Sequence, residues 1–168
     1  MRQTIIIFLF FTFSGFGQTE SLREEQFRKR AFEIDKSMEL NVSCQIDSIN
    51  VEFSKFSGKI KTNNYFRYSR TGVEIEYYLE NEKPFLIIVK MFKPESEYYW
   101  KENEFYIENG KIVEEREMFG QSSVMHGVAI PKEAITDPYK YYHYNRKLNV
   151  EFFRSYIFEL LEKIKNHR

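Results

Sequence analysis

Hydrophobic positions along the chain follow two periods, and the switches between them mark out its elements. Over 19–38 the period is helical. Phe27, Ala31, Ile34 and Met38 fall at i, i+4, i+7 and i+11 and make one narrow apolar stripe. Ser21-Leu22-Arg23-Glu24 ahead of it is a capping-box pattern. Glu24, Glu25, Arg28, Lys29 and Arg30 cover the other faces and read as solvated. From about 42 to 118 the period drops to two: Val42, Cys44 and Ile46 alternate with polar neighbours, and so do Val51 and Phe53. Turn-forming clusters recur at Ser57-Gly58, Arg70-Thr71-Gly72, Glu80-Asn81-Glu82-Lys83, Lys93-Pro94-Glu95 and Glu108-Asn109-Gly110. Segments of roughly 8–12 residues between turns predict an antiparallel meander, because tight turns cannot join parallel strands. The nearly continuous apolar run 85–92 predicts a central strand, covered at least in part on both faces.

Beyond the meander, Gly120, Gly127, Pro131 and Pro138 punctuate an irregular stretch over 119–147. A single helical turn fits 131–135, and Val128-Ala129-Ile130 fits a short strand or a buried loop. The helical period returns over 148–166, where Val150, Phe153, Ile157, Leu160, Leu161 and Ile164 form an apolar stripe behind an Asn149 cap. The expected fold is therefore α+β: an N-terminal helix, an antiparallel β-meander of five to seven strands, and a C-terminal amphipathic helix packed on the sheet.

Asn109-Gly110 is the strongest short hairpin signal in the chain, since a type I′ turn needs positive φ at both central positions. The stretch Glu104-Phe105-Tyr106-Ile107-Glu108-Asn109-Gly110-Lys111-Ile112-Val113 resembles the aromatic–Asn-Gly-Lys–aliphatic hairpin of small secreted bacterial proteins. That resemblance covers about a tenth of the chain; it implies a hairpin and carries no activity. Tyr78-Leu79-Glu80-Asn81-Glu82-Lys83 echoes Tyr106-Ile107-Glu108-Asn109-Gly110-Lys111. Each echo spans one hairpin, so reuse of hairpin chemistry explains it better than a repeat array.

The first 17 residues follow neither pattern. Arg2 is a basic n-region, Thr4 to Phe13 an apolar h-region, and Gly15-Phe16-Gly17 puts small residues where a signal peptidase cuts. The apolar run falls short of the ~20 residues a bilayer span needs. The expected mature chain is one domain over 18–168, exported to the periplasm or the medium. Cys44 is the only cysteine, so no intrachain disulfide can staple the fold, which favours a bacterial envelope protein over a disulfide-framed one. Its expected setting is that of a small buried hydrophobe.

Loss of Arg2 with the signal takes 25 basic residues to 24, against 25 acidic ones, and no single-sign block appears. Nucleic acid is excluded as a partner, because that footprint is a clustered basic face. No second apolar segment is long enough to span a membrane after cleavage. Aromatics are the outlier, with 17 Phe, 12 Tyr and Trp100. Strands account for many of them.

The catalytic repertoire is thin: no phosphate loop, nucleophile elbow, paired-His metal motif or cysteine pair is present. Ser122 and Ser123 near His126 lack an orienting group, and His126 with His143 is a weak metal signal. Glu115 and Glu117 share a strand face opposite Glu114 and read as the solvent side of an edge strand. No catalytic residue, metal or cofactor is assigned. The run 137–147 concentrates Tyr139, Tyr141, Tyr142, His143 and Tyr144 with Asp137, Arg146 and Lys147. With Trp100 these are the expected partner contacts, since Tyr and Trp dominate interface hot spots. The leading expectation is a secreted, non-enzymatic module binding another envelope or secreted protein, of immunity or inhibitor type. The alternative is a carrier holding a lipid or glycan in an aromatic cup.

Overall fold

The computed structural model describes residues 22–37, 39–54, 58–93, 96–121 and 131–167. The signal segment, Met38, Ser57, the Pro94-Glu95 turn and the 122–130 stretch with Ser122, Ser123 and His126 lie outside the described residues. The alternating region folds into seven strands: β1 (Leu40–Ile46), β2 (Ile49–Ser54), β3 (Lys59–Phe66), β4 (Thr71–Glu80), β5 (Lys83–Lys93), β6 (Ser96–Glu108) and β7 (Lys111–Gln121). They pair in chain order as one antiparallel sheet, which tight turns between successive strands require. Helix α1 (Leu22–Ser37) precedes the sheet, and α2 (Lys132–Thr136), α3 (Pro138–Tyr141) and α4 (Val150–Lys165) follow it. The molecule is α+β, as the periodicity predicts.

Register decides which side chains share a face. Phe53, Ile60, Tyr77, Ile87 and Phe105 stand opposite one another from β2 to β6, and all are buried. Over them α4 lays Phe153, Ile157, Leu160, Leu161 and Ile164. Each such side chain contributes about 1.5–3 kcal/mol on burial, which is what holds helix to sheet. The α4 N-terminus is closed by Asn149, whose side chain accepts from the Phe152 backbone N–H at 3.0 Å. The buried Tyr77 hydroxyl donates to the Ile157 carbonyl at 3.0 Å.

The other face carries a second, smaller core under α1. There Tyr78, Leu86 and Tyr106 form a ladder row beneath Phe27 and Ala31. The sequence echo finds its meaning here. Tyr78 and Tyr106 are each followed by a register shift, so the two hairpins are built alike. Arg30 pairs with Glu80 at 2.5 Å and Arg23 pairs with Glu108, the two arginines lying two helical turns apart. Between them Phe27 packs on Phe85 and edge-on to Tyr106, at centroid distances of 6.3 and 5.5 Å. One helix thus grips two equivalent hairpins.

Both hairpins turn through residues of positive φ, Asn81 and Glu82 at 50° and 63°, Asn109 and Gly110 at 52° and 74°. Only the second uses glycine, which adopts that region without steric cost. Glu82→Gly is expected to stabilise the protein by about 0.5–1 kcal/mol, the relief of left-handed strain less the entropy of a freer unfolded chain. The urea midpoint should rise with an unchanged slope.

Several local expectations change. Reversal between β3 and β4 occurs in a 3-10 turn over Arg67–Ser69 with Arg70 at φ 48°, and Gly72 lies inside β4. Gly120 likewise lies inside β7. The charged residues of α1 are not simply solvated. Glu24 is buried and pairs with Arg116 at 3.0 Å, Arg28 pairs with Glu104 at 2.8 Å, and Asp35 takes Lys59 at 2.6 Å. The sheet beneath α1 is itself charged, so the helix must present matching charges beside its short apolar stripe. Among the described residues no helix is long and apolar enough to cross a membrane.

Candidate functional site

The tyrosine run expected to contact a partner is mostly core. Tyr142 and Tyr144 are each 5 % exposed. Tyr142 stacks on Phe119 at 5.9 Å and meets Tyr99 edge-on at 5.2 Å. The Tyr144 hydroxyl lies 2.9 Å from the Tyr99 carbonyl and 3.1 Å from that of Met91. Tyr139 and Tyr141 are half-buried; Tyr139 packs edge-on to Phe119 at 5.0 Å and its hydroxyl donates to Glu117 at 2.5 Å. The cause is geometric. Helix α4 begins only at Val150, which leaves this end of its sheet face uncovered, and the run before it fills the gap. His143 is exposed at φ 57°, where its carbonyl accepts from Lys93. Trp100 projects from the opposite face, since it alternates with Tyr99 and Lys101 along β6.

That opposite face carries an exposed surface of which the sequence candidates include Trp100 alone. Below the row under α1, ladder pairing places Glu76, Ile88, Glu104 and Arg116 side by side. Next comes Asn63, Glu74, Lys90, Glu102 and Met118, and then Tyr65, Gly72, Phe92, Trp100 and Gly120. Cations and carboxylates of the middle rows lace together: Lys61–Glu74 at 2.7 Å, Lys90–Glu76 at 2.7 Å and Lys59–Glu76 at 2.8 Å. The last row is aromatic and open, with Tyr65 48 %, Phe92 46 % and Trp100 40 % exposed. A Cβ on Gly72 would collide with the Phe92 ring, and one on Gly120 with the Trp100 indole. Each ring therefore lies across a glycine of the neighbouring strand, one side on backbone and the other toward solvent. A strand glycine opposite an aromatic was the available signal, and both glycines were read as punctuation instead.

Glu102 is an electrostatic exception on this face. Burial and then the neighbouring Glu104 charge push its carboxyl above the usual range, against Lys90 and Arg28. A carboxyl whose folded pKa exceeds its unfolded one gives stability that is full below the unfolded pKa and is lost as pH rises through the folded one. Glu102→Gln is thus expected to raise Tm by a few degrees at pH 7. Near pH 3, where the carboxyl is protonated in either state, the difference should vanish.

Other sequence candidates resolve into structural roles. Glu115 pairs with Arg154 and Glu117, though exposed, pairs with Lys101 at 2.8 Å, so both carboxylates are held in ion pairs on the α4 face. Cys44 is exposed, contrary to its expected burial, on edge strand β1, where Ile46 is the residue that joins the core under α4. Among the described residues no three His, Cys, Asp or Glu side chains cluster as a metal site would require. Two clefts border the sheet. One of about 980 Å³ lies between α1 and the twin hairpin turns, walled by Arg23, Arg30, Glu80, Glu108 and Lys165. The other, about 440 Å³, runs along α4 beside Ile49, Tyr156 and Leu160, with Glu159, Glu162 and Lys163 at its rim. Both mix apolar walls with charged rims and open to solvent, so neither encloses a molecule as a buried cup would. No family model matches the chain, and no similar curated protein or solved structure was found.

Proposed function

We propose that this chain is a secreted, non-enzymatic binding module that holds an envelope partner on its open sheet face. One observation carries the reading: Tyr65, Phe92 and Trp100 stay nearly half exposed in one ladder row, on a face that α1 covers only at its far end. Exposed aromatics in a contiguous row mark interaction surfaces, because leaving them in water costs stability that binding can recover. The charged rows beside them put hydrogen-bonding groups along the edge of the rings. The carrier alternative rests on an enclosed apolar cup, and the open, charged clefts do not favour it.

The test is native mass spectrometry of the chain purified gently from the envelope of its own host, beside a Phe92→Ala/Trp100→Ala double variant. A bound species on the wild type that is lost from the variant, with Tm changed by less than about 2 °C, is the expected result. A bound species retained by the variant would move the site off this face.

A further inference from the structure

The row of rings is one residue wide, and that shape selects among partners. It runs from Tyr65 on β3 through Phe92 on β5 to Trp100 on β6, three strand spacings of about 4.8 Å or roughly 14 Å in all. Phe92 and Trp100 lie across Gly72 and Gly120, so they offer flat faces and neither a knob nor a pocket. Along one side runs the row Asn63, Glu74, Lys90 and Glu102, in which hydrogen-bond donors and acceptors alternate across the strands.

We infer that this strip binds a neutral linear glycan, stacked along the rings. A pyranose presents C–H groups on its faces, which pack on an aromatic plane, and hydroxyls around its rim, which both donate and accept. Phe92 and Trp100 supply the planes; Glu74 and Glu102 accept, Lys90 donates and the Asn63 amide does both. A stable protein interface needs a broad desolvated centre, and a single line of rings bounded by charges does not supply one. Cations and carboxylates pair off across the adjoining rows, Lys61 with Glu74 and Lys90 with Glu76, which leaves no net field to gather a charged polymer of either sign. This inference rests on the open face being the binding surface proposed above.

The experiment is retention of the chain from Gln18 onward on insoluble cellulose, insoluble chitin and an immobilised β-1,3-glucan. Four variants are compared with the wild type. Trp100→Ala removes a ring; Gly72→Ala and Gly120→Ala keep both rings but lift one off the backbone. Phe32→Ala removes an exposed ring on α1, away from the row. The expected result is retention on at least one glycan, at least tenfold weaker for Trp100→Ala and for whichever glycine variant keeps the wild-type circular dichroism, and unchanged for Phe32→Ala. No retention on any glycan overturns the inference. If, in that case, the host's bound species is a polypeptide lost from Trp100→Ala, the binding face stands and only its occupant changes. Glycan retention equal in wild type and all variants overturns both the occupant and the face.

Discussion

Tyr142→Ala is expected to lower the free energy of unfolding by about 3–5 kcal/mol, the range for deleting a large buried ring. The side chain is 5 % exposed and sits among Tyr99, Phe119 and Tyr141, edge-on to Tyr141 at a centroid distance of 4.9 Å. Those neighbours are held from two directions, Tyr99 and Phe119 by the β6–β7 ladder and Tyr141 by α3. The site cannot collapse to fill the space, so the cavity cost adds to the lost transfer energy. Trp100→Ala, beside Tyr99 on β6 but on the opposite face, should move stability by under about 1 kcal/mol, because one ring face is already in water. Urea denaturation of the two variants settles the assignment. A cost below about 1 kcal/mol for Tyr142→Ala would return the tyrosine run to the surface.

The contrast between these two residues shows what periodicity could and could not convey. Helix α4 was legible because its stripe is regular and its Asn149 cap is local chemistry; structure and pattern agree at every apolar position from Phe153 to Ile164. The meander was legible for the same reason, down to the buried run of β5, whose Ile87 and Val89 face α4 while Leu86 lies under α1. Where a side chain's fate depends on which distant element covers it, sequence spacing says nothing. Tyr142 and Trp100 have similar sequence surroundings, each beside other aromatics and a lysine or histidine. Their opposite exposure follows from where α4 begins and how far α1 reaches, and both are properties of the assembled sheet.

The open aromatic row was hidden for a related reason. Gly72 and Gly120 each stand beside a turn signal or a change in period, so local reading assigns them to loops. Only the ladder register, Gly72 against Phe92 and Trp100 against Gly120, shows that each is a seat for a ring. The charged residues of α1 carry the same lesson. Glu24, Arg28 and Asp35 look solvated until the sheet brings Arg116, Glu104 and Lys59 beneath them. Hydrophobic pattern reports burial against an average core, and part of the core under α1 is ionic.

The most deeply buried charge described lies on the other face, and Lys101→Ala is expected to cost about 2–5 kcal/mol, the range for emptying a long buried side chain. The Lys101 side chain has no exposed surface. Its ammonium is met by Glu117 at 2.8 Å, the Asn103 side-chain oxygen at 2.9 Å and the Leu148 carbonyl at 3.2 Å, which uses all three of its protons. The rings of Phe119 and Tyr139 lie 5.5 and 5.4 Å away and add attraction for the charge. Removing the lysine opens a cavity and leaves Glu117, itself exposed, to the Tyr139 hydroxyl and water. Replacing both partners, as Lys101→Met with Glu117→Gln, should recover much of the loss, because no charge is then stranded. Burial pulls the Lys101 pKa below its ordinary value although Glu117 opposes the shift. The native state therefore binds this proton less tightly than the unfolded chain does. Wild-type stability should gain a rising contribution as pH climbs from the lowered pKa toward about 10.5. The double variant should lack that contribution. If the double variant is as unstable as Lys101→Ala at every pH, refilling the space and removing the partner charge recover nothing, and the cost lies in the lost bonds to Asn103 and the Leu148 carbonyl.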